Sequence, residues 1–439
     1  MAILKNPGLV IIGGSLGGLA AAAEVIRNGG NPKQILILEK RNRPMLLRSI
    51  GLDCFALDII EAAGVDLSLI LALRPRILIY GDYQHEQRVR VPLGQPLFGP
   101  QGRPSLHIWQ RQNAGVTTLG VLIQALSERL SAQGVTILNE AQVTGLSQQE
   151  VEPVVVTFNY VEKRHSISAD KVYIAAGAAG SRELKLDVGG NAIKLKRKKE
   201  KNRLIDGLGA VFAATHGDSI IRLVRNDPDR LDVIYAVGSG PLVSIGIACH
   251  PGHLSAFEKD FEAFAARAAA KLDIFGKPLQ VFRFTNSLDV MPLINVSDRI
   301  QVGGDAARRS DPIFGGGGNG ALADAYNYGQ LYAGKISIEQ YVATIRETTS
   351  AVHNGSKWVG DTIAFARQAS RLAAIVPSPI RRYNDWASAL FGHLLEQTAT
   401  RLMDTPDPRA ASNVRIASQA QQPYLHSDSR FDVFAEYFS

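Results

Sequence analysis

The chain has 439 residues, 46% hydrophobic and 20% charged, the balance of an ordinary soluble globular protein. That length exceeds one simple core and suits two or three sub-domains, and no apolar run is long enough to span a bilayer. Two cysteines, Cys54 and Cys249, are too few for a disulfide framework and lack metal-ligand spacing, so a reducing cytoplasm and no metal site are expected.

In chain order, the first element is the apolar run Leu9-Val10-Ile11-Ile12, which predicts a buried parallel strand. Gly13-Gly14-Ser15-Leu16-Gly17-Gly18 follows at once, then an Ala-rich helix over Leu19 to Val25. Ile35-Leu36-Ile37-Leu38 is a second buried strand, and it ends at Glu39-Lys40. Strand, Gly loop, helix, strand and acid in that order make a dinucleotide-binding fingerprint. Gly13 permits the tight turn, and Gly14 and Gly17 keep the loop small. Ser15 stands where backbone must approach a pyrophosphate, and Gly18 lets helix pack on strand. Glu39 is placed to accept ribose hydroxyls and to repel a 2′-phosphate, which argues against NADP in this particular site. Lys5 before an apolar stretch ending in Ala20 to Ala23 has the outline of a signal peptide. The Gly spacing and the immediate second strand argue against it.

Residues 76–103 hold alternating strands punctuated by Pro and Gly. A helix is expected over Leu119 to Leu130, and Val172-Tyr173-Ile174 is a further strand. Seven of the ten residues 194–203 are Lys or Arg. That run reads first as a solvated loop, and second as a contact with an anionic membrane, an acidic partner or a carrier protein. No aromatic residues interleave with it, which argues against nucleic acid. Strands are expected at Ala210 to Ala213, Leu231 to Tyr235 and Val243 to Ile247, and a helix over Leu254 to Leu272. A sheet from this region would lie over a cofactor, with substrate between them.

Arg299-Ile300-Gln301-Val302 is a short strand running into Gly303-Gly304-Asp305. Pro312 and then Gly315-Gly316-Gly317-Gly318-Asn319 follow, opening a helix. An Asp at a strand end can hold a sugar-like chain. A Gly run leaves N–H groups unshielded at a helix N-terminus, where negative charge is stabilised. Two Gly loops nearly 300 residues apart suggest one large cofactor gripped at both ends, which points to FAD.

With these residues in view, the chain resembles the class A FAD-dependent monooxygenases, the para-hydroxybenzoate hydroxylase family. Its Gly-Asp-Ala-Ala-His-x-x-x-Pro-x-x-Gly-x-Gly-x-Asn segment is matched by Gly304, Asp305, Ala306, Ala307, Pro312, Gly315, Gly317 and Asn319, with Arg308 at the His position. The resemblance covers residues 8–185 and 290–335. It implies an α/β fold: a Rossmann-like FAD-binding domain with an inserted mixed β-sheet substrate domain and C-terminal helices. The FAD domain would be discontinuous over 1–75, 105–185 and 290–335. Residues 76–104 and 186–289 would form the substrate sheet, and 336–439 a helical region with a polar tail.

The resemblance implies cofactor contacts at Gly13, Gly14, Ser15, Gly17, Gly18, Glu39, Lys40, Arg48, Arg111, Val143, Gly304, Asp305, Pro312, Gly315, Gly317, Gly318 and Asn319. Arg48, Pro312 and Gly316 would edge the reacting centre. The implied chemistry is hydroxylation or epoxidation of an apolar, aromatic or polyketide-like small molecule of secondary metabolism, with dioxygen, through a flavin hydroperoxide. NADPH or NADH would supply electrons. Ala176 replaces an Asp that the family uses towards the nicotinamide, which leaves reduction by a reductase partner open. The alternatives are a reductase of the geranylgeranyl type and a flavoprotein-like binding module without redox turnover. A halogenase Trp-x-Trp-x-Ile-Pro motif is absent, the tryptophans being Trp109, Trp358 and Trp386. His250, His253, Arg222, Tyr235 and Met291 to Leu293 are weaker substrate-pocket candidates.

Overall fold

The structure is a computed structural model. It describes residues 4 and 6–346, apart from 43–45, 53, 72–76, 82–87, 93–114, 150–151, 196–203, 215–218, 228–229, 240, 250–253, 255–260, 271–273, 275, 288–293 and 308–316.

Leu9–Ile12 is buried along its whole length, as a strand covered on both faces must be. It lies inside a core sheet whose order is Asn295–Ser297, Ile300–Val302, Lys171–Ile174, Leu9–Ile12, Ile35–Leu38, Thr136–Leu138. All pairings are parallel except that of Asn295–Ser297 with Ile300–Val302. The first helix, Leu16–Arg27, buries every residue from Leu16 to Val25. Its small Ala20 to Ala23 run allows close packing against the helix Gly317–Tyr332. A ring stack and a cation–π contact fix that closing helix further: Tyr328 lies on Tyr173 of the core sheet at 4.2 Å, and Arg27 lies over Tyr326 at 5.3 Å.

Among the described residues, three more sheets complete the molecule. One holds Lys163–Ala169, Val154–Tyr160, Gln142–Gln148, Lys185–Val188 and Asn191–Ile193. A larger one has seven strands in the order Gln280–Ser287, Leu204–Ala213, Leu242–Cys249, Arg230–Ser239, Ser219–Asp227, Ile77–Gly81, Arg88–Pro92. A two-stranded ribbon pairs Ser49–Leu52 with Gly115–Thr118 and runs between the core and the larger sheet. The helix Leu119–Gln133 leaves the ribbon and stops at Gly134, whose φ of 101° ends it in the left-handed region.

The strands expected among the described residues form, several of them longer than predicted, while 82–87 and 93–103 of the region expected to alternate strands lie outside the described residues. Ala210 to Ala213 is the end of Leu204–Ala213, and Leu231 to Tyr235 lies within Arg230–Ser239. The first helix begins at Leu16, not Leu19, because the Gly residues that open the loop also supply its first turn. The helix predicted over Leu254 to Leu272 is described over Phe261–Ala270. Among the strands of the larger sheet, Ser219–Asp227 holds Arg222, which the sequence had placed on a strand without giving its bounds, and Gln280–Ser287 was not predicted. In the first, Arg222, Arg225 and Asp227 interrupt the apolar run. In the second only Phe282 and Phe284 carry a large apolar face. The 347–404 helical pattern, and the basic run from residue 196 on, lie outside the described residues.

Candidate functional site

A cavity of about 480 Å³ opens at the carboxyl ends of the core strands. That size suits a cofactor-sized ligand, and this edge is where open α/β sheets bind them. Gly13, Gly14, Ser15, Leu16 and Gly17 line its middle. Gly13 has φ 107°, a conformation that favours glycine, and its N–H donates to Leu38 at 2.8 Å. Gly18 cannot carry a Cβ, which would overlap the Gly13 carbonyl oxygen. Ser15 is the helix N-cap in extended backbone, exposed, and its side chain makes no capping bond. The first-turn N–H groups and the positive end of the helix dipole are therefore open to an anion.

One end of the cavity is built by Glu39, Lys40, Gln142 and Val143. Glu39 uses one carboxylate oxygen for the Gly14 N–H at 2.7 Å and the other for the Arg41 N–H at 2.9 Å. A carboxylate has about four acceptor positions, so lone pairs remain for hydroxyl groups. Lys40 does not point a free charge at the cavity: it pairs with Glu183 at 3.2 Å. Val143 is the second residue of the strand Gln142–Gln148 and is buried.

The other end is built by Arg48, Ile50, Gly304, Asp305, Gly317 and Gly318. Gly304 and Asp305 sit in a 3-10 turn, Gly304–Ala306, directly after the strand Ile300–Val302. The Gly304 N–H donates to the buried Asp324 carboxylate at 2.9 Å, so the closing helix fixes the turn. Asn319 is buried in the first turn of that helix. Arg48 carries a guanidinium that no hydrogen bond or ion pair engages among the described residues. It lies over the Phe282 ring at 5.9 Å. Burial lowers its pKa, the Tyr235 and Asp305 charges act the other way, and Arg41 lowers it further. Five N–H donors beside a cavity, with no acceptor bonded to them among the described residues, suit an anionic or oxygen-rich ligand.

The structure thus brings together Gly13, Gly14, Ser15, Gly17, Glu39, Lys40, Arg48, Val143, Gly304, Asp305, Gly317 and Gly318 around one cavity. Gly18 and Asn319, also expected there, are buried and do not line it. Arg111, Arg308, Pro312, Gly315, Gly316, His250, His253 and Met291 to Leu293 lie outside the described residues. Arg222 and Tyr235 are on neighbouring strands of the larger sheet, and Tyr235 is close enough to Arg48 to act on its charge. Ala176 lines the cavity as the N-cap of a short helix, Gly177–Glu183.

Residues 8–337 match the family model described as "FAD binding domain". The chain belongs to that family. FAD fits the cavity on its own terms, with a diphosphate-sized anion site at the centre and polar groups converging at both ends. No curated protein matches the chain. Solved structures share the fold. A geranylgeranyl bacteriochlorophyll reductase-like protein from Thermoplasma acidophilum is 16% identical, with a TM-score of 0.65 over 92% of this chain and 98% of its own. A flavin-dependent halogenase, CmlS, is 17% identical, with a TM-score of 0.60 over 82% and 66%. Aklavinone-11 hydroxylase, in a ternary complex with FAD and aklavinone, is 12% identical, with a TM-score of 0.57 over 81% and 68%.

This chain is therefore a flavin-dependent oxidoreductase of a monooxygenase-type family. Arg41, Leu46, Gln124, Ser127 and Glu183 are among the cavity residues that sequence reading missed. Gln124 and Ser127 sit at helical spacing on Leu119–Gln133, and that periodicity was their one available signal. Among the described residues no helix is long and apolar enough to cross a membrane, and no metal-holding cluster occurs.

Proposed function

We propose that the protein is an FAD-dependent monooxygenase that hydroxylates or epoxidises an apolar, aromatic small molecule. The observation that carries this reading is the meeting of Arg48 with Phe282 and Tyr235 of the larger sheet, beside Asp305 at one end of the cavity. Bound and reduced, FAD supplies the activation of dioxygen.

The chain's own residues would do the rest. The Gly13 to Gly17 loop and the helix behind it would hold the diphosphate. Glu39, with Val143 beside it, would accept the ribose hydroxyls. Asp305 would take the ribityl chain, and the N–H groups of Gly317 and Gly318 would face the flavin ring. Phe282, Phe284 and Tyr235 lie on one face of the larger sheet, in tilted ring contacts of 6.2 and 6.3 Å. They would form an apolar wall for a flat substrate and exclude water from it. The cytoplasm remains the expected compartment.

The test adds NADPH, then NADH, anaerobically to the purified yellow protein and follows the flavin absorbance. A panel of phenols and alkenes is then supplied under ¹⁸O₂, with chemical photoreduction where neither nicotinamide bleaches the flavin. Incorporation of one labelled oxygen into product supports the reading. Turnover of an alkene to its saturated product without oxygen would favour a reductase, a reaction type named in one of the solved structures. Bleaching by NADPH or NADH would make a separate reductase partner unnecessary despite Ala176.

A further inference from the structure

Arg48 lies in a segment that joins two parts of the molecule through its backbone. The carbonyls of Leu46 and Arg48 accept from the N–H groups of Gly120 and Leu119 at 2.8 and 2.9 Å. Those donors open the helix Leu119–Gln133, whose side-chain cap is missing. On the other edge, the Leu47 N–H donates to the Gln280 side-chain oxygen at 2.9 Å, and the Ser49 N–H to the Ser244 hydroxyl at 2.7 Å. The Ser49 hydroxyl reaches Val237 O at 3.0 Å and the Ser239 hydroxyl at 2.8 Å. Residues 46–49 are thus bonded on one edge to the cofactor side and on the other to three strands of the larger sheet.

Two of these strands carry the apolar wall, and the third, Leu242–Cys249, pairs with the strand of Tyr235. Gln280 is two residues from Phe282, on the same face of its strand. Ser239 follows Tyr235 on its strand, and Ser244 precedes Gly246, the cross-strand partner of Tyr235. The two N–H groups held by the sheet flank Arg48 directly.

We propose that Gln280 and Ser244 are positioning residues for Arg48, through which the larger sheet sets the affinity of the cavity for FAD. The guanidinium is a long side chain with costly rotamer freedom, and fixing its backbone on both sides removes part of that cost. Coupling of this kind is reciprocal, so a ligand that orders the sheet would tighten FAD and FAD would tighten that ligand. The inference rests on the proposed contact between Arg48 and FAD.

The experiment is a double-mutant cycle on the FAD dissociation constant of the deflavinated full chain, read by flavin fluorescence. Arg48→Met is expected to weaken FAD roughly tenfold to a hundredfold, the loss of a charge-assisted contact. Gln280→Leu alone is expected to weaken it roughly threefold to tenfold, and Val281→Thr, on the exposed face of the same strand, to leave it unchanged. The decisive prediction is that Gln280→Leu adds less than about twofold once Arg48 is Met. Equal factors in both backgrounds would overturn the positioning role and leave the Arg48 contact standing. No change in affinity for Arg48→Met would overturn the contact and the inference together. If Gln280→Leu does not fold, Ser244→Ala and its hydroxyl-keeping partner Ser244→Thr run the same cycle. Only the Ala variant should then lose affinity, with apo melting temperatures reporting any plain structural damage.

Discussion

At the scale of single residues, Glu39 holds the Gly loop as well as facing the cavity. Both its oxygens are already bonded to backbone N–H groups, at Gly14 and Arg41. Glu39→Ala should therefore loosen the loop and remove hydroxyl acceptors together. A weakening of FAD of roughly tenfold or more is expected, measured as a dissociation constant. Glu24 shows the opposite economy. It is buried on the first helix against Arg27, at 2.6 Å, and burial raises its pKa above 4.5 while Arg27 pulls it down. A folded-state pKa above the unfolded one gives stability that is present below about 4.5 and fades as pH rises through the raised value. Glu24→Gln should thus raise the melting temperature relative to the parent near neutral pH, and lose that advantage near pH 4. The opposite trend, with Glu24→Gln costing stability near neutral pH and less near pH 4, would show that the Arg27 pair, not burial, governs the carboxyl.

Among elements, the closing helix Gly317–Tyr332 is the one whose loss the site would feel most. Its Asp324 holds the Gly304 N–H, and both groups are buried. Asp324→Ala should cost about 1–3 kcal/mol by leaving a buried donor unpaired. Thermal unfolding of the apo protein measures the cost, and FAD affinity should fall with it. Tyr341→Phe removes the hydroxyl bonded to Val302 O at 3.0 Å, and a loss of about 1 kcal/mol is expected by the same measurement. These elements divide sharply in how well the sequence announced them. The strand Leu9–Ile12, its Gly loop and Glu39 are a local pattern, and each residue's role follows from its neighbours in sequence. The turn at Gly304 and Asp305 was legible for the same reason. The bonds at Arg48 were not: Gln280 and Ser244 approach from 233 and 195 residues away, and a lone polar residue on a strand gives no hint of such a partner. Lys40 was legible as a cavity residue but not as the partner of Glu183, 143 residues further on.

For the whole molecule, the fold narrows the chemistry without choosing it. Structures of a reductase-like protein, a halogenase and a hydroxylase share this architecture at 12–17% identity, so the fold alone does not select the reaction. FAD bridges segments from both ends of the described chain in the reading proposed above. Saturating it should therefore raise the stability of the molecule as one unit, by about 2.7 kcal/mol at a hundred times its dissociation constant. Calorimetry should show one transition moving upward with FAD concentration. Two transitions, of which only one moves, would mean that the larger sheet unfolds independently of the cavity.

The closing helix also sets a clock on the protein's birth. Leu16–Arg27 leaves the ribosome early, but the helix that covers it ends at Tyr332. At about 5–20 residues per second, the nascent first helix waits roughly 15–60 s for its cover. Throughout that interval no cofactor can be captured by both loops, and an Ala-rich apolar face stays open to whatever else is near. Flavin is then a late guest, able to be held by both loops only once the second has been made.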